Sequence, residues 1–245
     1  MEIIGHRGAR SEAPENTMMG FLYLQSLGIH SVEVDLHLSR DFEVMVIHDA
    51  TVDRTTNQSG KVFQYGANEL EQMDARGEEW QHIASSADSG VPLLRKLLKR
   101  WPNLESIQLE VKSPDRAHYE ILGNGLITIC QHFNLSGTIT SSDTEFLQHL
   151  HGTQCPLSLG YIAETMEPDP IHTALQYQCK YLIPKWDLCH SALVDEAHEK
   201  GLIVSAWTVN DPEAFFKLEN LGVDSVITDQ PSKLLALTAP SSTSP

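Results

Sequence analysis

Positive charge is scarce in this 245-residue chain: 17 Lys and Arg stand against 33 Asp and Glu, a formal net charge of −16. So acidic a surface repels a nucleic-acid backbone or an anionic membrane, and neither is an expected partner. No run approaches about 18 consecutive apolar residues, so no membrane insertion is expected. The opening MEIIGHRG has neither the basic start nor the apolar core of a secretory leader, and a cytoplasmic location follows as the expectation. Cysteines are few (Cys130, Cys155, Cys179 and Cys189), with no CxxC pair and no zinc spacing, which points to reduced thiols. GxGxxG is absent, which counts against a dinucleotide fold, and GxSxG is absent, which counts against a nucleophile-elbow hydrolase.

What is present is alternation. Short β-rich runs occur at Glu2–His6, Ser31–Leu36, Val44–His48, Ile107–Lys112, Thr138–Ser141, Leu157–Tyr161, Tyr181–Pro184, Leu202–Thr208 and Ser225–Thr228. Amphipathic stretches lie between many of them. The spacing predicts a helix over Thr17–Leu27, capped by Asn16 and stopped by Gly28. It predicts another over Pro92–Trp101. A third starts at Asp211-Pro212-Glu213 and stops at Gly222. Strand–helix alternation over this length implies an α/β fold, and about eight repeats fit a closed (β/α)8 TIM barrel.

The count is irregular near strands 2–3. Nine runs compete for eight places, and Asp35 to Val44 is too short for a helical crossover. An extended return across the barrel height is the reading that fits it. Residues 50–91 are polar, rich in Gly, Ser and Asp, and read as a small insertion after the third strand. One domain over residues 1–237 and a disordered tail over residues 238–245 are expected.

Charge sits where the apolar strands end. In SVEVDL, period 2 puts Glu33 and Asp35 on one face and the valines on the other. IQLEVK does the same with Glu110 and Lys112. His6-Arg7 and His48-Asp49 follow apolar runs directly. One such pair is usually a solvated face, and a lone strand-end His is usually structural. Recurrence at four strand ends changes that weighting. In a parallel barrel the C-terminal ends converge on one mouth, which would gather His6, Arg7, Glu33, Asp35, His48, Glu110, Lys112 and Trp207. Three carboxylates form a hard oxygen site for one divalent cation, Mg²⁺ or Ca²⁺. Two histidines can exchange protons near neutral pH, and Arg7 and Lys112 suit phosphate oxygens. The set fits phosphoryl transfer better than acyl transfer. Asp49 and Asp53 suit either an orienting role or Asx turns, with Asp53 read as structural. Asp229, ahead of Gln230-Pro231, reads as a helix N-terminal residue.

GHRGARSEAPENT, SVEVDLHLSRD, VIHDATVDRTTNQSG, LEVK, SAWTVND and VITDQP, in that order, resemble the motifs of the glycerophosphodiester phosphodiesterase family, in its short soluble bacterial type. The likeness runs from about Ile3 to Leu235. It implies a TIM barrel with a small insertion after the third strand. By the resemblance, His6 and His48 match the catalytic histidines, and Glu33, Asp35 and Glu110 the metal ligands. Arg7 and Lys112 match the phosphate contacts, Asn16 lies in the ENT motif lining the site, and Trp207 matches the aromatic near the glycerol. The chain departs from the family near residues 80–92, where VPLLRK replaces a run near IPTLEE. The implied reaction is metal-dependent cleavage of a small-molecule sn-glycero-3-phospho-alcohol to sn-glycerol 3-phosphate and the alcohol. Two other readings compete with it: a phospholipase-type diesterase on intact lipids, which the −16 charge opposes, and a non-catalytic glycerophosphodiester-binding homologue.

Overall fold

The computed structural model describes residues 1–112 and 115–238. Eight parallel strands close into a barrel: β1 (Glu2–His6), β2 (Ser31–Leu38), β4 (Ser106–Val111), β5 (Gly137–Ser141), β6 (Ser158–Ala163), β7 (Tyr181–Pro184), β8 (Ile203–Ala206) and β9 (Ser225–Thr228). The order is β1-β9-β8-β7-β6-β5-β4-β2, and β1 pairs with β2 to close it. Among the described residues, no helix is long and apolar enough to cross a membrane.

The ninth run, β3 (Val44–Val46), explains the irregular count. It pairs with β2 antiparallel, Leu36 against Val46 and Leu38 against Val44. The expected extended return does not form. The chain turns at once, with Ser39 N–H bonded to Glu43 O at 3.0 Å, because two antiparallel strands need only a short connection. The strand is also shorter than expected, ending at Val46 rather than His48.

The helices are α1 (Met18–Ser26), α2 (Ala67–Glu71), α3 (Leu94–Arg100), α4 (Tyr119–Phe133), α5 (Thr144–His151), α6 (Pro170–Gln176), α7 (Ser191–Glu199), α8 (Pro212–Asn220) and α9 (Pro231–Thr238). Apart from Thr238, which ends α9, the expected tail lies outside the described residues. The cap of α1 is a correction. Thr17, not Asn16, accepts the Gly20 N–H, and Asn16 has φ +51 and belongs to the preceding loop. Gly28, at φ +75, follows the last turn as expected. Helix α8 follows its signals: Asp211 accepts from Ala214 N, Pro212 is first, and Gly222 has φ +79. Helix α3 starts later than expected, since Leu93 is extended and bridges Met45 while Pro92 O accepts from Val46 N–H.

One large apolar layer packs the helices on the barrel exterior, from Phe21 and Leu24 through Leu97, Trp101, Leu126 and Phe146 to Phe215 and Leu234. A separate small cluster lies beneath the excursion between β3 and α3. It holds Met45, Ile47, Val52, Val62, Leu70, Met73 and Val91. The excursion leaves and returns at one place. Val46 N–H bonds Pro92 O at 2.9 Å, and Met45 bridges Leu93.

Candidate active site

The mouth starts with a tight turn after β1. A Cβ on Gly5 would lie 2.1 Å from Gly8 O and 2.4 Å from a Leu24 methyl, so only glycine lets the chain fold back there. Arg7 and Asn16 are both left-handed, at φ 52 and 51, and Asn16 N–H bonds Arg7 O at 2.9 Å. Left-handed backbone at a non-glycine residue costs about 1–2 kcal/mol. Here it marks both ends of a loop that aims two site side chains.

Strand register sets the heights. His6 lies beside Glu33, and Asp35 beside Glu110. Period 2 points Glu33, Asp35 and Glu110 into the barrel, and one carboxylate oxygen from each lies within 4.8 Å of the others. Asp35 is fully enclosed and Glu33 almost so. Around them, Arg7 N–H donates to Glu33 Oε2 at 3.1 Å, and Asn16 Nδ2 donates to Asp35 Oδ2 at 2.8 Å. Arg7 Nε lies 3.1 Å from Asp35 Oδ2. Lys112 Nζ lies 2.9 Å from Asp35 Oδ1 and touches Glu110.

The charges do not balance. Three carboxylates face two fixed cations, and Glu33 Oε1 is buried without a hydrogen-bond donor, while Asp35 Oδ1 has only the Lys112 ammonium beside it. Burial, then the like charges of Asp35 and Glu110, push the Glu33 carboxyl well above the usual carboxylate range. Burial and Asp35 likewise push Glu110 up. Burial works against Asp35 too, but Arg7 and Lys112 outweigh it and hold Asp35 below its ordinary value. Hard oxygens clustered in this way, with Glu33 Oε1 unpartnered, fit a divalent cation.

The two histidines share one design. His6 Nδ1 lies 2.5 Å from Asp229 Oδ1, and His48 Nδ1 lies 2.6 Å from Asp49 Oδ1. Each ring is anchored through Nδ1, which leaves Nε2 for other work. His6 is buried, with Nε2 3.8 Å from Glu33. His48 is half-buried, and His37 Nε2 bonds its carbonyl at 3.0 Å. Burial lowers the pKa of both, while Asp229 pulls His6 back up and Asp35 pulls back His48. Asp229 is held in turn by Asn210 Nδ2 at 2.8 Å.

Strands β6, β7 and β9, with Ile4 of β1, carry an apolar wall. Ile4, Ile162, Ile183 and Ile227 form a cluster with Tyr181 and Trp207. Trp207 is half-buried, with its indole N–H on Ile183 O at 3.1 Å. Trp207, Ile162, Ile183 and Ile227 line one cavity with His6, Glu33 and Glu110.

The expected residues thus meet at one end of the barrel. Three others have a larger part than the sequence reading gave them. Asp229 is not merely a helix N-terminal residue but the partner of His6. It ends an apolar strand, the same signal that singled out the other groups. Glu15 and Arg54 lie in polar loops without periodicity; both fall within the family-like motifs, but no residue pattern marks a role for either. Asp53 is structural as expected, accepting the Gly60 N–H.

Comparison with known proteins identifies the family and the fold. The model of the Glycerophosphoryl diester phosphodiesterase family matches residues 6–233. A putative glycerophosphodiester phosphodiesterase of Bacillus subtilis, YhdW, is 29% identical, covering 96% of this chain and 97% of its own length. A glycerophosphodiester phosphodiesterase of Caldanaerobacter subterraneus is also 29% identical, with 96% of each chain covered. A solved Oleispira antarctica phosphodiesterase, in complex with the product sn-glycerol-3-phosphate, superposes with a TM-score of 0.85 at 25% identity, covering 96% of each chain. Fold, family match and near-full-length relatives agree that this chain is a phosphoric diester hydrolase and belongs to the glycerophosphoryl diester phosphodiesterase family.

Proposed function

We propose that the protein hydrolyses sn-glycero-3-phospho-alcohols, with choline, ethanolamine or glycerol as the alcohol, to sn-glycerol 3-phosphate and the free alcohol. Glu33, Asp35 and Glu110 would hold one Mg²⁺ or Ca²⁺. Such an ion supplies positive charge that offsets the phosphate oxygens and the charge that builds on them. The observation that carries the reading is the pair of imidazoles, each fixed through Nδ1 by a carboxylate, in one mouth with an under-neutralised acidic trio.

Arg7 and Lys112 are the fixed cations for the non-bridging oxygens. Burial opposes charge on both, but Asp35 leads the carboxylates that keep them protonated. Asn16 holds Asp35 in place. Trp207 offers its face to the glycerol carbons and excludes water from that side. His48, the more exposed imidazole, is assigned as the base that takes a proton from the attacking oxygen. His6 is assigned as the acid that protonates the departing alcohol. Asp229 and Asp49 keep each ring in one tautomer and favour its protonated form during the transfer.

The test is direct. Purified protein with glycerophosphocholine and Mg²⁺ or Ca²⁺ should release sn-glycerol 3-phosphate and choline. Exhaustive chelation should abolish release, and either ion should restore it. Full turnover after chelation removes the metal role of the three carboxylates. No product with any of the three head groups removes the reading.

A further inference from the structure

The excursion after β3 sends one side chain back to the mouth. Arg54 uses every face of its guanidinium. Nε donates to Asp49 Oδ2 at 2.6 Å, Nη1 to Glu15 Oε2 at 2.9 Å and Nη2 to Glu15 Oε1 at 2.8 Å. Each carboxylate then passes the contact on. Asp49 holds the His48 ring through its other oxygen. Glu15 holds Arg7 Nη1 at 3.1 Å and Arg10 Nε at 3.1 Å. Arg54 is therefore one carboxylate away from His48 and one from Arg7.

We propose that Arg54 is a positioning residue that sets the His48 ring through Asp49 and the Arg7 guanidinium through Glu15. The excursion is then a working part of the site and not only a cover. The proposal rests on the assignment of His48 made above.

An exposed ion pair alone contributes little. This one differs in three respects. The Arg54–Glu15 contact is a two-bond fork, the strongest pairing geometry available to these groups. The Glu15 side chain is only 11% exposed, and three arginines meet on it. Burial alone would raise its carboxyl, yet Arg54, Arg7 and Arg10 bring it down to about 2, so it stays charged. Finally, a lysine ammonium lacks the planar fork and cannot reproduce the two-bond pairing to Glu15 together with the Nε bond to Asp49. Without Arg54, Asp49 loses the partner on its second oxygen and can swing into solvent. The His48 ring then has no fixed tautomer or tilt.

The experiment measures kcat and KM on glycerophosphocholine with Mg²⁺ for Arg54→Ala, Arg54→Lys, Asp49→Asn and the double variant Arg54→Ala/Asp49→Asn. Misplacing a reacting group by about 1 Å can cost about a hundredfold, so Arg54→Ala should lower kcat between about tenfold and about a hundredfold. KM should move less than kcat. The double variant should lose little beyond the worse single variant, because both act on one ring. Arg54→Lys should regain only a small part of the loss. Free guanidinium at low millimolar concentration should raise the turnover of Arg54→Ala and leave the wild type unchanged.

A kcat for Arg54→Ala within twofold of wild type overturns the proposal, and so does additive loss in the double variant. If Arg54→Ala does not fold, Arg54→Lys carries the same cycle with Asp49→Asn. His48→Ala separates the two claims. If it keeps full turnover, the assignment of His48 itself falls. If it is inactive while Arg54→Ala is normal, only the role of Arg54 falls.

Discussion

Across the barrel mouth, β1, β2 and β4 present His6, Glu33, Asp35 and Glu110, while β6, β7 and β9 present Ile162, Ile183 and Ile227. Both walls obey the same period-2 rule, and both side-chain sets face inward. They differ in what holds them. The isoleucines are fixed by shape and lose little when one is trimmed by a methyl. The carboxylates and imidazoles are fixed by partners: Arg7 and Lys112 each hold two of them, and Asn16, Asp229 and Asp49 one each. A buried charge that loses its partner is far costlier than a buried methyl that loses a neighbour. One wall is thus suited to reaction and sensitive to any change. The other is suited to shape and tolerant of small ones.

That contrast can be broken by substitution. The largest effect belongs to the charged wall. His6→Ala and His48→Ala should each lower turnover at least about a hundredfold, the usual scale for general acid–base groups. Steady-state assays that find either variant near wild type would remove the pair. On the apolar wall, Trp207→Ala should act on binding first: KM rises by about tenfold while kcat falls less, as lost packing against a ligand predicts. A larger effect on kcat than on KM would place Trp207 with the reacting groups. Ile183→Val should be the mildest. Thermal or denaturant unfolding should show a loss of about 1 kcal/mol, with turnover within about twofold of wild type. Turnover that collapses on loss of that single methyl would erase the distinction between the walls.

The same contrast explains what could be read in advance. Glu33, Asp35, Glu110 and Lys112 announced themselves because a charge inside an apolar strand breaks a pattern. The barrel followed from alternation and strand count, and the extra run resolved into a hairpin rather than a crossover. Asp229 carries the same strand-end signal, but the following Gln230-Pro231 supplied a sufficient local reason for it. Asn16 and Thr17 are two good capping residues in a row, and only the backbone shows that Thr17 has the helical partner. Glu15 and Arg54 both fall within the family-like motifs, yet their pairing is illegible for a deeper reason. They lie in loops 39 positions apart, where no periodicity exists to be violated. Their meeting depends on how the excursion folds back, and that depends on its own small apolar cluster.

The rung shared by Val46 and Pro92 makes the excursion a closed detour, since the polymer comes back to where it left. Lengthening such a detour is cheap, at about 0.6 kcal/mol for each doubling. Trimming or grafting beyond Arg54 need not shift a single stave of the barrel, so long as His48, Asp49 and Arg54 keep their places. Changes of length in residues 55–91 can therefore accumulate without disturbing the strands that carry His6, Glu33, Asp35 and Glu110.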